Sequence, residues 1–211
     1  MTLLIAIDGH AASGKGTIAR GIAEHFDLSY LDTGLIYRAV AQLAMLQGKK
    51  RLSKKELIDL ARGFKPKYLE LESLRSDKVG FYASKIAAIP EVRSELINFQ
   101  RNFALNSSGA VLDGRDIGTV IIPDAQLKVF VTADLNIRAK RRYKDLSKRV
   151  DGINLKKVLD DLSKRDQLDC NREHAPLKIT SDAHLIDTSE LSIEASIAYV
   201  INLIKRVKAK N

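Results

Sequence analysis

The chain has 211 residues and a mass of 23.4 kDa, with 45% hydrophobic and 29% charged residues, which excludes a disordered tail and suits one domain with a real core. A single cysteine, Cys170, excludes an internal disulfide and a cysteine-built structural zinc site. Lysine and arginine number 35 against 26 aspartates and glutamates, and the net +9 calls for an anionic partner without distinguishing nucleic acid, membrane or nucleotide.

In chain order, the apolar run Leu3 to Ile7 predicts a strand. It ends at Asp8, too short for a signal peptide or a membrane span, so a cytoplasmic address with no membrane partner is expected. A Gly-rich loop over 8–15 and a helix over 17–25 follow. A second short strand, 28–31, leads into Asp32-Thr33-Gly34 and a helix with apolar positions at 36, 39, 40, 43 and 46, ending at Gly48. Ser53-Lys54-Lys55-Glu56 is a capping box opening another helix. Residues 67–72 alternate like a strand, and two helical segments, 79–89 and 91–106, flank Pro90. Buried strands are predicted at 110–113 and 127–131, basic helices at about 135–149 and 154–170, a last strand at 183–186 and a last helix at 193–207. Short apolar strands alternating with helices predict an α/β fold, a doubly wound parallel sheet covered on both faces. Ligands in such folds sit at the carboxyl ends of strands. Three polar, aperiodic stretches fall there: 8–17, 32–38 and 113–119.

The first of these, Gly9-His10-Ala11-Ala12-Ser13-Gly14-Lys15, fits G-x-x-x-x-G-K between a strand and a helix. Glycines let successive backbone N–H groups point inward, the helix adds its positive end, and Lys15 adds a full charge, so the loop suits a polyphosphate. Gly16 follows the lysine and places the hydroxyl one residue late, at Thr17. No Asn-Lys-x-Asp or Thr-Lys-x-Asp segment follows, which disfavours a GTPase.

Three further clusters combine arginine with carboxylate. Leu31 to Arg38 carries Asp32, Thr33, Tyr37 and Arg38; Leu112 to Thr119 carries Asp113, Arg115 and Asp116; Arg165, Asp169 and Arg172 share one helical face. Singly, each also reads as structure: Asp32 or Asp113 as a cap, Arg38 as a solvated helix residue, 165–172 as an ion-paired surface. Together, beside a phosphate loop, they point to a site for anions. Residues 136–172 hold 12 basic and 6 acidic residues, so the excess charge is concentrated there and in a short tail at 205–211.

The combination of Gly9-x-x-x-x-Gly-Lys-Gly-Thr17, Leu31-Asp-Thr-Gly-x-x-Tyr-Arg38, Asp113-Gly-Arg-Asp-x-Gly-Thr119 and Arg165-Asp-x-x-Asp-x-x-Arg172 closely resembles the bacterial cytidylate (CMP) kinases. Residues 183–188 and 191–194 are similar to the family's final strand and helix, and the resemblance runs from Ile5 to about Ile204. It implies ATP-dependent phosphorylation of CMP or dCMP by a monomer of one kinase domain, 1–211, with no nucleic-acid partner. The P-loop core would span 1–34, 107–135 and 173–211, the monophosphate-binding region about 35–106, and the lid and substrate helix about 136–172. It implies that Gly9, His10, Ala11, Ala12, Ser13, Gly14, Lys15, Gly16 and Thr17 hold ATP, with Arg138, Arg141 and Arg142 as lid arginines. Lys15, Arg38, Arg115, Arg142 and Arg172 would neutralise the transferring phosphate, and Arg38, Arg115 and Arg172 would hold the CMP phosphate beside Tyr37. Arg165 and Asp169, helped by Thr33, would reach the sugar, while Ser84, Arg93 and Asp116 would read cytosine. Mg²⁺ is expected near Thr17 and Asp113; Asp113 suits a structural partnership with the phosphate loop equally well. The chain departs from the family at His10, Leu168 and Cys170, and its insertion is trimmed around 72–75, just before Ser84 and Arg93, which removes a hairpin.

Two rival readings have their own discriminators. A kinase of the same fold acting on UMP or a small hydroxyl substrate is one; Asp116 and the Arg165–Asp169 pair argue for a nucleotide acceptor, since a hydroxyl substrate would want a base instead, and they leave UMP open. A basic P-loop protein that binds nucleic acid is opposed by 6% aromatic content, no tryptophan, and acids interleaved through 136–172.

Overall fold

A computed structural model describes residues 2–49, 52–148 and 152–209. Arg149 and Val150 of the expected lid and Lys210 of the basic tail lie outside the described residues.

Five strands form one all-parallel sheet: β1 (Leu3–Gly9), β2 (Ser29–Asp32), β3 (Gly109–Gly114), β4 (Leu127–Thr132) and β5 (His184–Asp187), in the order β2-β3-β1-β4-β5. β1 is central because its unbroken apolar run suits burial on both faces. Its side chains alternate with a period of two. Ile5 and Ile7 pack with Ile18 and Ile22 of α1 (Lys15–Phe26) and Val200 and Ile204 of α8 (Ile193–Lys208), while Ala6 joins the opposite cluster. That second cluster lies under α2 (Thr33–Leu46), α3 (Lys54–Arg62), α4 (Asp77–Ile86) and α5 (Pro90–Leu105). A third, small cluster joins Ala11 of the phosphate loop to α6 (Leu135–Leu146) and α7 (Leu155–Asn171) through Ala139, Val158 and Leu162.

The capping box closes as expected: Ser53 N–H donates to Glu56 Oε2 at 2.7 Å, and Glu56 N–H donates to Ser53 Oγ at 3.3 Å. The strand expected at 67–72 is absent. Residues 66–70 and 72–75 form two 3₁₀ turns instead. Pro66 fixes the first turn and lacks the N–H a sheet ladder needs, Tyr68 N–H donates back to the Lys65 carbonyl at 2.9 Å, and the buried side chain is Leu74. No hairpin stands there, in keeping with the trimmed insertion. α1 begins at Lys15 rather than 17, and β3 is followed by an unforeseen π-helical turn, Ile117–Ile121. Parallel pairing sets the ends of β1, β2 and β3 side by side, Asp32 opposite Asp113 and Asp8 opposite Gly114, so the three polar stretches meet at one edge. Among the described residues, no helix is long and apolar enough to cross a membrane.

Candidate active site

The phosphate loop is a strained turn clamped from behind. Gly9 (φ 152°) lies so close to β4 that a Cβ there would overlap the Val131 carbonyl oxygen. Ala12 is held at φ 59°, a left-handed conformation that a non-glycine residue adopts only under external constraint. The constraint is visible: Arg138 Nη1 donates to the Ala11 carbonyl at 3.3 Å, and Thr188 Oγ1 donates to the Ser13 carbonyl at 2.8 Å. α1 then follows Gly14 at its N-cap, with no capping side chain and no acidic residue in its first turn, which leaves its N–H groups for an anion. Thr17 is exposed on that turn.

Lys15 is the loop's cation. Burial, reinforced by the positive charge of Arg115 and opposed by Asp113, lowers its pKa to about 8. Asp113 faces it from the end of β3, its pKa raised to about 7 by burial and by the like charge of Asp32. Tyr30 Oη donates to Asp113 Oδ1 at 3.2 Å, and Thr33 Oγ1 donates to the Asp113 carbonyl at 2.8 Å. Asp32 occupies the cap position of α2 but makes no capping hydrogen bond, so its carboxylate is left for the site. The sequence places Asp32 in a candidate cluster or at a cap; its opposition to Asp113 becomes apparent once the β2–β3 register is known.

A cleft of about 420 Å³, open mouth included, lies beside the loop. Nine of the ten residues expected to bind the acceptor line it: Thr33 and Tyr37 from α2, Ser84 from α4, Arg93 from α5, Arg115 and Asp116 after β3, and Arg165, Asp169 and Arg172 at α7. Asp116, 5% exposed, joins Arg93 through Oδ2 and Arg172 through Oδ1, the latter at 3.3 Å; the two arginines are 3% and 9% exposed. Arg93 also lies over the Tyr37 ring, 5.5 Å from its centroid. Arg115 Nε donates to Asp169 Oδ2 at 2.6 Å, and Arg165 Nε stands 4.0 Å from the same oxygen without a hydrogen bond. Among the described residues, six buried side-chain polar atoms have no partner. Two line this cleft, Tyr37 Oη and Arg165 Nε, and a third, Ser13 Oγ, belongs to the phosphate loop. Orphaned groups clustered in one place mark where a polar ligand completes the network.

Arg38, the tenth expected residue, borders the cleft without lining it. It donates to the Leu74 carbonyl at 2.7 Å and the Ser76 carbonyl at 3.1 Å. Burial, with Arg165 and Arg142 nearby, lowers its pKa to about 9. Helix α4 passes so close that a Cβ on Gly80 would come within 2.6 Å of Arg38 Nη2.

All three lid arginines are engaged elsewhere. Arg142 ion-pairs with Asp77 and approaches the Arg75 carbonyl at 3.5 Å, so it rests on α4 rather than over the loop. Arg138 is buried, donating to the Ala133 carbonyl at 2.9 Å and to Asp166 Oδ2 at 2.6 Å besides Ala11, and so holds the loop in shape. Arg141 donates to the Thr188 carbonyl at 2.6 Å. His10 packs edge-on to Phe130, and its Nδ1 is 3.5 Å from Thr132 Oγ1, with burial holding its pKa down. Cys170 points to solvent.

The model of the cytidylate kinase family matches residues 5–206 of this chain. Cytidylate kinases of Azorhizobium caulinodans and Bartonella tribocorum are 48% and 49% identical to it, across 98% and 95% of this chain and 100% and 94% of theirs. Among solved structures, an uncharacterized protein from Eubacterium ventriosum superposes with a TM-score of 0.59 at 16% identity, covering 97% of this chain and 99% of that one. Shikimate kinase from Bacteroides thetaiotaomicron superposes with a TM-score of 0.51 at 13% identity, covering 96% and 98%. At such identities the likeness is one of fold.

Proposed function

The chain belongs to the cytidylate kinase family and phosphorylates CMP or dCMP with ATP, and we propose that it does so in this cleft, with the acceptor between α2, α5 and α7 and ATP on the phosphate loop. The observation that carries the assignment is Asp116 buried between Arg93 and Arg172 at the wall of a cleft beside that loop. Cytosine presents an amine donor at C4 and acceptors at N3 and O2. A carboxylate, a guanidinium and the Ser84 hydroxyl on one wall complement that edge. Uracil inverts the pattern at C4 and N3 and would leave these buried groups mispaired, the strongest form of discrimination a binding site offers.

The acceptor is an ionised phosphate oxygen, so no general base is required. The task is to bring two polyanions into line and spread the charge that develops between them. Arg38, Arg115 and Arg172 are suited to the CMP phosphate because a guanidinium fork matches paired phosphate oxygens. Lys15 and the amides of the loop and α1 hold the ATP phosphates. Arg165 and Asp169, with Thr33, face the sugar. Arg142 joins them after leaving Asp77, so residues 136–172 act as lid and substrate helix, and 35–106 as the acceptor-binding region. The arrangement fits Mg²⁺: Asp32 and Asp113 repel each other beside the loop, and Thr17 offers an exposed hydroxyl. Among the described residues no group of three or more His, Cys, Asp or Glu is suited to a metal, so ATP oxygens and water would complete the shell. When bound, the ion neutralises the β- and γ-phosphates.

Replacing Arg172 tests the placement. Arg172→Ala should lower kcat/KM for CMP by about 100-fold or more, because a charged hydrogen-bonding group is lost. Lys208→Ala, on the exposed basic tail, should leave it within about twofold. Equal losses would put the site elsewhere.

A further inference from the structure

Asp8 stands directly before the phosphate loop in β1, opposite Gly114 of β3 and Phe130 of β4. Its side chain is buried. Oδ1 accepts the Ile117 N–H at 2.9 Å and Oδ2 accepts the Gly118 N–H at 2.8 Å, bonds that span 109 and 110 residues of sequence. Among the described residues it makes no ion pair within 4.0 Å. A buried carboxylate held by two amides alone is unfavourable: burial raises its pKa to about 6, the two N–H groups only partly opposing.

What those amides belong to gives the carboxylate a use. They open the π-helical turn at 117–121, immediately after Arg115 and Asp116. Val120 and Ile121 N–H groups donate to the Asp116 carbonyl at 2.9 and 3.2 Å, so Asp116 and the turn move as one body. From this short segment Arg115 reaches Asp169, and Asp116 reaches Arg93 and Arg172. A shift of the main chain at 117–118 therefore displaces the phosphate-facing and the base-facing groups together.

We propose that Asp8 is a positioning residue for the acceptor nucleotide: its carboxylate fixes the main chain of residues 115–118 so that Arg115 and Asp116 meet CMP in register. The inference rests on the cleft being the CMP site. It assigns to a residue beside the ATP loop an effect on the other substrate.

Asp8→Asn keeps the shape, retains one acceptor oxygen and sets an NH₂ group against the second amide. The KM for CMP should rise about tenfold from one buried amide left unpaired, while the KM for ATP stays within about twofold. A purely structural role would lower thermal stability without splitting the two KM values. Parallel rises in both KM values, or an unchanged KM for CMP, would overturn the proposal. Amide hydrogen exchange of the wild-type protein supplies a second reading that does not depend on the variant folding. CMP should slow exchange at Ile117 and Gly118, and ADP should not; equal slowing by both, or none by CMP, would also overturn it. Wild-type protein that fails to turn over CMP would overturn the kinase reading itself, an outcome distinct from the other results.

Discussion

Removing the Asp116 carboxylate should damage stability and specificity together. Asp116 is the only carboxylate within 4.0 Å of Arg93 or Arg172 among the described residues, and all three side chains are buried. Asp116→Ala therefore leaves two guanidinium groups in the interior without a counter-charge. Breaking a buried pair in this way typically costs about 3–5 kcal/mol. For a chain of this size, each kcal/mol lowers Tm by about 2–4 °C, so the expected fall is about 6–20 °C. Arg93→Ala combined with Asp116→Ala should fall short of the sum of the single losses, because both remove the same pair. Thermal unfolding measures the first effect. Steady-state ADP formation with CMP and with UMP measures the second, and the preference for CMP should shrink at least about tenfold as the cytosine-facing carboxylate disappears. A Tm within about 2 °C of wild type together with an unchanged CMP preference would refute the reasoning, because a buried ion triad cannot lose its centre at so small a cost.

Three other outcomes follow from the same geometry. Lys15, with its pKa lowered to about 8, begins to lose its proton near that pH in the free protein, whereas bound polyphosphate favours the charged form; ATP affinity should fall as pH rises through 8, with proton uptake on binding measurable as a buffer-dependent heat. Asp77→Asn should free Arg142 and lower the KM for ATP about threefold, with stability changed by less than about 1 kcal/mol because the pair is partly exposed; a higher KM would mean that Arg142 does not serve the donor. Gly9→Ala forces the loop away from the Val131 carbonyl, and should abolish ADP binding by calorimetry while lowering Tm.

The sequence revealed whatever depends on neighbouring residues. The run Leu3 to Ile7 and the spacing from Gly9 to Lys15 place a strand, a phosphate loop and a helix with no knowledge of the rest of the chain, and the three aperiodic stretches do meet at one sheet edge. Residues 67–72 misled because their alternation of apolar and polar side chains is shared by a pair of tight turns, and Pro66 was the sign that no ladder forms there. Nothing local marked the partners of Asp8, Asp32 or Asp77. Each acts on a group 65 or more residues away, or across a strand pair, so its role exists only after folding. Arg138 and Arg142 show the same gap from the other side: the motif gives their identity, while their present partners, Ala11, Asp166 and Asp77, follow from how α6 packs against the loop, α7 and α4.

The most direct measurement is ADP formation from MgATP with CMP, dCMP, UMP, AMP and shikimate offered as separate acceptors at equal concentration. CMP and dCMP should be turned over at least about 100-fold more efficiently than the others, as expected where buried polar groups read one base edge. Equal rates on UMP and CMP, or no turnover of CMP, would contradict the assignment of Arg93, Asp116 and Arg172 to the recognition of cytidine monophosphate.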